Sequence, residues 1–178
     1  MDRVLKLNNM KEKELNNLLR NKARQLGLCD QWYKDWSDNE TMQQLLEKYL
    51  RGIDFCIKHD YPNLDFARKV FPRDILIANG IFLDSSIDAS NLMRSVVLGE
   101  SIGILRYSCN QTGNIYVRHH ANLRIEVDED SKVFVEAYDN CRVHVVAKGF
   151  SKAFVYWHGG EITYEGNVTI RDKRNAGQ

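Results

Sequence analysis

The most regular feature of the chain is a ten-residue pattern of apolar and polar positions between Ser101 and Gly160. Six consecutive rows align without gaps, and the third, fifth and seventh places of each row are mostly apolar. Places eight to ten are mostly polar or Gly, and the first place is usually small. Such alternation predicts β-strands of about five or six residues separated by short turns. The fifth place is always Leu, Ile or Val: Leu105, Ile115, Ile125, Val135, Val145 and Val155.

Two architectures fit this pattern. In an antiparallel meander or sandwich successive strands reverse direction, whereas in a β-solenoid the rows advance by translation and like places stack on like places. The small residue at place one and the Ser-Lys openings at 131 and 151 favour translation. Two rows would then make one coil of a flattened solenoid, with the odd places filling its interior. The meander or sandwich stays open as the alternative.

The first 80 residues show the three- and four-residue apolar spacing of helices instead. The stripe from Met10 to Leu26 predicts one helix, with Gly27 placed to end it. A longer helix is expected from Met42 to about His59. Ser37 and Glu40 have the spacing of a capping box in front of that helix.

We therefore predict an α+β protein, with an N-terminal helical bundle followed by a β-solenoid-like domain built from repeats. The change from helical to alternating spacing falls near Gly80, and residues 84–91 are rich in Ser and Asp, as in loops and domain joins. The predicted boundaries are a helical domain at 1–80, a linker with a short strand at 81–94, a β-repeat domain at 95–170 and a polar tail at 171–178.

Composition and charge narrow the class of protein. The net charge of +1 argues against a DNA mimic and against a basic nucleic-acid binder. No apolar run approaches the roughly 20 residues that span a bilayer. The opening MDRVLKLNNMKEKE lacks the apolar core of a secretory signal. We therefore expect a cytoplasmic protein with neither a membrane nor a nucleic acid as its partner.

The residue types that carry chemistry form no recognisable site. The four cysteines are scattered without a C-x-x-C pair, and the G-x-S-x-G, Walker, dinucleotide and H-E-x-x-H motifs do not occur. Cys141 and His144 occupy places one and four of a row, which point to opposite faces of a strand. His119 and His158 would lie at least about 14 Å apart in a solenoid, too far to share a metal ion. We predict no catalytic residue, no metal site and no cofactor.

The outward even places carry more aromatic residues than a solvated face needs. Exposed apolar patches of this kind mark interfaces with other chains. Two interpretations remain open, since either the helical half covers these rings or another chain binds them. The candidate partner-binding residues are Tyr116, Arg124, Phe134, His144, Phe154 and Tyr156.

The rows SKVFVEAYDN and CRVHVVAKGF resemble the small-x-Val-x-Val-x-Ala-Tyr-Asp-Asn-Ala repeats of uncharacterised phage and mobile-element proteins of bacteria. The resemblance covers roughly residues 95–170. It implies a β-solenoid and a phage or prophage origin. No activity comes with it.

Together these observations predict a non-catalytic protein-binding module of phage or mobile-element origin. Its expected partner is a host protein, with a defence component that it blocks as the favoured case. A second copy of the chain is left open as the partner, so a homo-oligomer is also considered. Two alternatives remain: a DNA-associated regulator that uses the helical half, and a small hydrolase or nucleotide-binding enzyme with a site near Asp84.

Overall fold

The computed structural model describes residues 12–175 of the 178-residue chain. The chain divides into two compact units, Met1–Ile75 and Leu76–Gln178. The described residues form six helices, followed by eleven β-strands. The helices are α1 (Glu12–Gln25), α2 (Asp30–Lys34), α3 (Met42–Arg51), α4 (Ile53–His59), α5 (Leu64–Val70) and α6 (Arg73–Ala78).

The first unit is held by a core that α1 shares with residues further along. Leu15, Leu19 and Ala23 follow the predicted three- and four-residue spacing and are buried. The indole N–H of Trp36 donates to Asn16 Oδ1 at 2.7 Å, and the hydroxyl of Tyr61 donates to the carbonyl of Leu19 at 2.7 Å. The predicted first helix is thus present from Glu12, while its residues 10 and 11 lie outside the described range.

The expected long helix is two helices, α3 and α4, which meet at Gly52. Gly52 has φ −99° and ψ 28°, outside the helical range. A Cβ at this position would lie 3.3 Å from the carbonyl oxygen of Lys48 and 3.4 Å from the ring of Trp32. The residue therefore allows close packing of Trp32, but it also interrupts the helix, since Gly is a poor helix former.

The capping box was predicted one turn too early. Thr41 caps α3, because its hydroxyl accepts the N–H of Gln44 at 3.3 Å and the side chain of Gln44 accepts the N–H of Thr41 at 2.8 Å. Glu40 does accept the N–H of Ser37 at 3.0 Å, but these two residues close a turn before the helix. Glu40 is buried and pairs with Lys48 at 3.0 Å.

The second unit is a β-solenoid made of two parallel sheets. Sheet I has the order β1-β3-β5-β7-β9-β11 and sheet II the order β10-β8-β6-β4-β2. The strands are β1 (Ile81–Leu83), β2 (Ser86–Ser90), β3 (Arg94–Leu98), β4 (Ile102–Tyr107), β5 (Thr112–Val117), β6 (Asn122–Val127), β7 (Lys132–Ala137), β8 (Arg142–Ala147), β9 (Lys152–Trp157), β10 (Glu161–Gly166) and β11 (Val168–Asp172).

The register of the strands confirms the solenoid and contradicts the antiparallel alternative. Leu123 pairs with Val143 and Val135 with Val155, so one coil takes 20 residues, or two rows of the repeat. All pairs between the strands are parallel. The odd places fill the interior as predicted, and the six residues at place five are all 0 % exposed.

The solenoid begins earlier and ends later than the sequence pattern indicated. The residues expected to form a linker at 81–94 contain β1, which pairs with β3, and β2, which pairs with β4. Ile87 takes an interior place in β2 despite the Ser and Asp residues around it. At the other end, β11 extends to Asp172, two residues into the expected tail. Among residues 12–175, no helix has the length and apolarity that crossing a membrane requires.

Candidate partner-binding site

The six candidate residues lie on two different outer faces of the solenoid. Sheet I carries Tyr116 on β5, Phe134 on β7, and Phe154 and Tyr156 on β9. Sheet II carries Arg124 on β6 and His144 on β8. Consecutive rows alternate between the sheets, so the structure separates these two residues from the four aromatic ones.

The four aromatic residues occupy two neighbouring columns of sheet I. Phe134 pairs directly with Phe154 in the strand register, and their rings stack with centroids 5.3 Å apart and planes 14° from parallel. Tyr116 and Tyr156 lie two places further along their strands, with Glu136 between them in the same column. Each of these side chains is half-buried.

Arg171 on β11 completes the aromatic column. Its guanidinium carbon lies 5.2 Å from the ring centroid of Tyr156 and 5.9 Å from that of Phe154. The guanidinium also donates to the hydroxyl of Tyr156 at 3.1 Å. We call the surface formed by Tyr116, Phe134, Phe154, Tyr156 and Arg171 the aromatic face. Sequence reasoning missed Arg171 because it was assigned to the tail, although the alternation of Val168 and Ile170 pointed to a strand there.

A polar cluster borders the aromatic face where the strands of sheet I end. The rings of Tyr138 and His158 stack with centroids 4.3 Å apart. Both side chains contact Glu136, with His158 Nε2 at 2.6 Å from a carboxylate oxygen and the Tyr138 hydroxyl donating at 3.2 Å. Sequence reasoning also missed these three residues. Their signal was the shared place eight of Tyr138 and His158, because equal places two rows apart become neighbours.

An ion pair beside this cluster fixes the turn after β7. Arg118 donates to both carboxylate oxygens of Asp139, at 2.8 and 3.2 Å, and the N–H of His119 donates to the same carboxylate at 3.1 Å. Burial alone would raise the pKa of Asp139, but these hydrogen bonds and the charge of Arg118 hold it below its usual value.

The outer face of sheet II has a different character, because its polar side chains pair with one another. Arg124 donates to Glu126 at 2.8 Å, and this hydrogen bond lowers the pKa of Glu126. The imidazole of His144 lies 2.8 Å from the hydroxyl of Thr163 and 3.5 Å from the carboxylate of Glu165. Such ion-pair networks are typical of a solvated face.

The geometry gives Cys141 and His144 no common chemistry. Cys141 faces the interior and is fully buried, while His144 faces outward on the next turn of the strand. Burial raises the pKa of Cys141 to about 11, so its thiolate, the nucleophilic form, is scarce at neutral pH. Within residues 12–175, no group of three or more His, Cys, Asp or Glu side chains is arranged to hold a metal ion.

Comparisons with known protein families, curated proteins and solved structures find no match for this chain.

Proposed function

We propose that this protein is a non-catalytic binding module that recognises another protein through the aromatic face. The observation that carries the proposal is the stacked pair Phe134 and Phe154, half-exposed on the outer side of a parallel sheet. Aromatic and Arg side chains are enriched at the centres of protein interfaces, where they supply large apolar area.

The sheet prepares these side chains for binding. Every strand beneath the aromatic face is hydrogen-bonded to its neighbours along its whole length, so the backbone is fixed before a partner arrives. The stacking of Phe134 on Phe154, and of Arg171 on Tyr156, further restricts their rotamers. A partner therefore meets a surface whose ordering cost has already been met within the fold.

The outer face of sheet II is a poorer candidate. Arg124, His144 and their neighbours already satisfy one another, so a partner would have to replace ion pairs rather than cover apolar rings. We therefore assign the binding role to four of the six candidates, Tyr116, Phe134, Phe154 and Tyr156, and add Arg171.

The class of partner follows from the resemblance of the repeats to phage and mobile-element proteins. A phage-encoded protein without catalytic groups acts on its host by occupying a host protein. We propose a host protein as the partner, and inhibition of a defence component as the consequence of binding. This step is an argument from analogy and depends on the origin that the repeats imply.

The test compares two matched double variants in capture from an extract of the organism that encodes the chain. F134S/F154S alters place four of two strands in sheet I, and R124S/H144S alters place four of two strands in sheet II. Mass spectrometry should identify proteins that the wild type and the sheet II variant retain and the sheet I variant loses. Equal capture by all three proteins, with unchanged thermal melts, would overturn the proposal.

A further inference from the structure

The solenoid ends in a coil with two unpaired strand edges. β10 and β11 are the last strands of sheets II and I, and within residues 12–175 each has a neighbouring strand on one side only. Glu161 and Asn167 donate their N–H groups to the β8 side, at 2.8 and 3.1 Å. Successive residues of a strand point their hydrogen-bonding groups to opposite sides, so those of Ile162 and Tyr164 face away from β8.

This last coil also leaves its interior column open. In the column of place five, Ile125 and Val145 are fully buried, and the next residue, Tyr164, is 54 % exposed. The other interior places of the coil hold apolar Ile162, Val168 and Ile170, which are only partly buried. Repeat proteins normally close such an end with a polar cap. Here the apolar stack continues to the end.

We propose that two copies of this chain associate end to end through β10 and β11. The two strands run in opposite directions, because they lie on opposite sheets of one coil. A two-fold axis parallel to the strands therefore places β11 of the second copy antiparallel to β10, and β10 of the second copy antiparallel to β11. Both edges and the open interior are covered together, whereas a single foreign strand would cover one edge only.

The charges of the two strands complement each other in this arrangement. The outward residues of β10 include Glu161 and Glu165, whereas Arg171 and Lys173 follow one another outward along β11 and its end. The antiparallel register that keeps interior residues inside brings Glu161 opposite Lys173 of the second copy. The same register brings Tyr164 opposite Ile170 of that copy. Cross-strand pairs of opposite charge and of apolar residues stabilise a sheet.

A head-to-tail arrangement fits less well. It would place β10 beside β2 of the next copy, so that Glu161 and Glu165 would approach Asp88. It would also place β11 beside β1, which has only three residues. The charge pattern therefore favours a closed dimer over an open filament.

Sedimentation equilibrium of the full chain tests the dimer. The wild type should show a reversible monomer–dimer equilibrium, and Tyr164→Lys, which buries a charge in the contact, should raise the dissociation constant by at least about tenfold. Asn122→Lys, an exposed outward change in the middle of sheet II, is the control and should leave the constant unchanged. A wild type that stays monomeric, a polymer that grows with concentration, or an unaffected Tyr164→Lys variant would overturn the proposal.

A charge exchange tests the pairing of the strands independently of folding. Glu161→Lys and Lys173→Glu should each weaken the dimer, and the double variant E161K/K173E should restore it. Glu161 lies 3.7 Å from Arg142 of its own chain, so Glu161→Lys alone also loses that exposed pair. Recovery in the double variant comes only from contact between position 161 of one copy and position 173 of the other. Simple addition of the two defects would exclude the proposed register.

Discussion

Ile125 and Ile102 are the same side chain on neighbouring strands of sheet II, at opposite extremes of exposure. Ile125 occupies place five and is 0 % exposed, whereas Ile102 occupies place two and is 56 % exposed. The place within the row decides whether an apolar residue contributes to stability, because only odd places face the interior. Hydrophobic stabilisation scales with the apolar area removed from water, and Ile102 keeps most of its area in water.

We predict that Ile125→Ala lowers the free energy of unfolding by about 2–5 kcal/mol, because it removes buried methyl groups and leaves a cavity. Ile102→Ala makes the same chemical change on the outer face and should alter stability by less than about 0.5 kcal/mol. Urea denaturation of both variants measures the two values. Similar losses would mean that place two is as buried as place five, contrary to the structure.

Asp139 links stability to pH. Its pKa is held below the usual value of 3.8 by Arg118 and the N–H of His119, against the effect of burial. A carboxylate whose pKa is depressed in the folded state stabilises the protein above its unfolded pKa, and that contribution is lost as the pH falls through the folded pKa.

We predict that Asp139→Asn lowers stability at pH 7 by at most about 1 kcal/mol, since the pair is partly exposed to solvent. The difference from the wild type should shrink as the pH falls below 3.8. Asn suits the left-handed φ of 58° at this position, so the backbone is not strained by the change. Urea denaturation across a pH series gives the comparison. A difference that stays constant down to the acid limit would contradict the assigned role of the carboxylate.

At the scale of elements, the alternation of apolar residues predicts the strands and their inward sides, because interior places require apolar residues. It does not predict where the two faces divide. Arg124 and Phe134 belong to consecutive rows and were grouped as outward residues, yet consecutive rows form opposite sheets. Arg171 was missed for a different reason, since the ten-residue period breaks after Gly160 while the alternation continues. Gly52 fits a helical stripe equally well, so its interruption of the helix leaves no signal in the spacing.

Gly113 shows how one element adjusts to another across the interior. It occupies place three of β5, where later rows have Leu or Val, and it is buried. A Cβ here would lie 2.2 Å from the ring of Tyr107, which occupies place seven of β4. The ring needs this space, since Tyr107 is fully buried and its hydroxyl donates to the carbonyl of Leu92 at 3.0 Å.

We predict that Gly113→Val destabilises the protein by about 1–3 kcal/mol or more through overpacking, although it makes the row more like its neighbours. In a Tyr107→Val background the same change should cost at least about 1 kcal/mol less, because the ring is no longer in the way. A double-mutant cycle by urea denaturation measures this coupling. Costs that simply add would show that the ring and position 113 do not compete for space.

At the scale of the whole molecule, the solenoid unit gains its stability from contacts between successive coils. Each strand pairs with the strand 20 residues before and after it, so the coils form a nearly one-dimensional series. This is the part of the fold that the sequence predicted best, because the period of the repeat and the length of a coil are the same property. The ends of the series carry no repeat signal, and there the predicted boundaries failed.

The coil length makes the final prediction, in which one full coil is removed. Deleting residues 121–140 joins His120 to Cys141, so every later residue keeps its place in the row and every later strand keeps its sheet. Deleting residues 121–141 joins His120 to Arg142 instead. Either Arg142 then enters a buried place that holds small residues, or the strand slips by one and turns its Val side chains outward.

The shorter deletion should leave a folded protein with a β-type circular dichroism spectrum and a cooperative urea transition. Its m-value should be smaller than that of the wild type, because a shorter solenoid exposes less surface on unfolding. The deletion that is one residue longer should lose the cooperative transition. If both deletions folded equally well, the 20-residue coil would not control the register, and the assignment of the aromatic residues to a single face would fail with it.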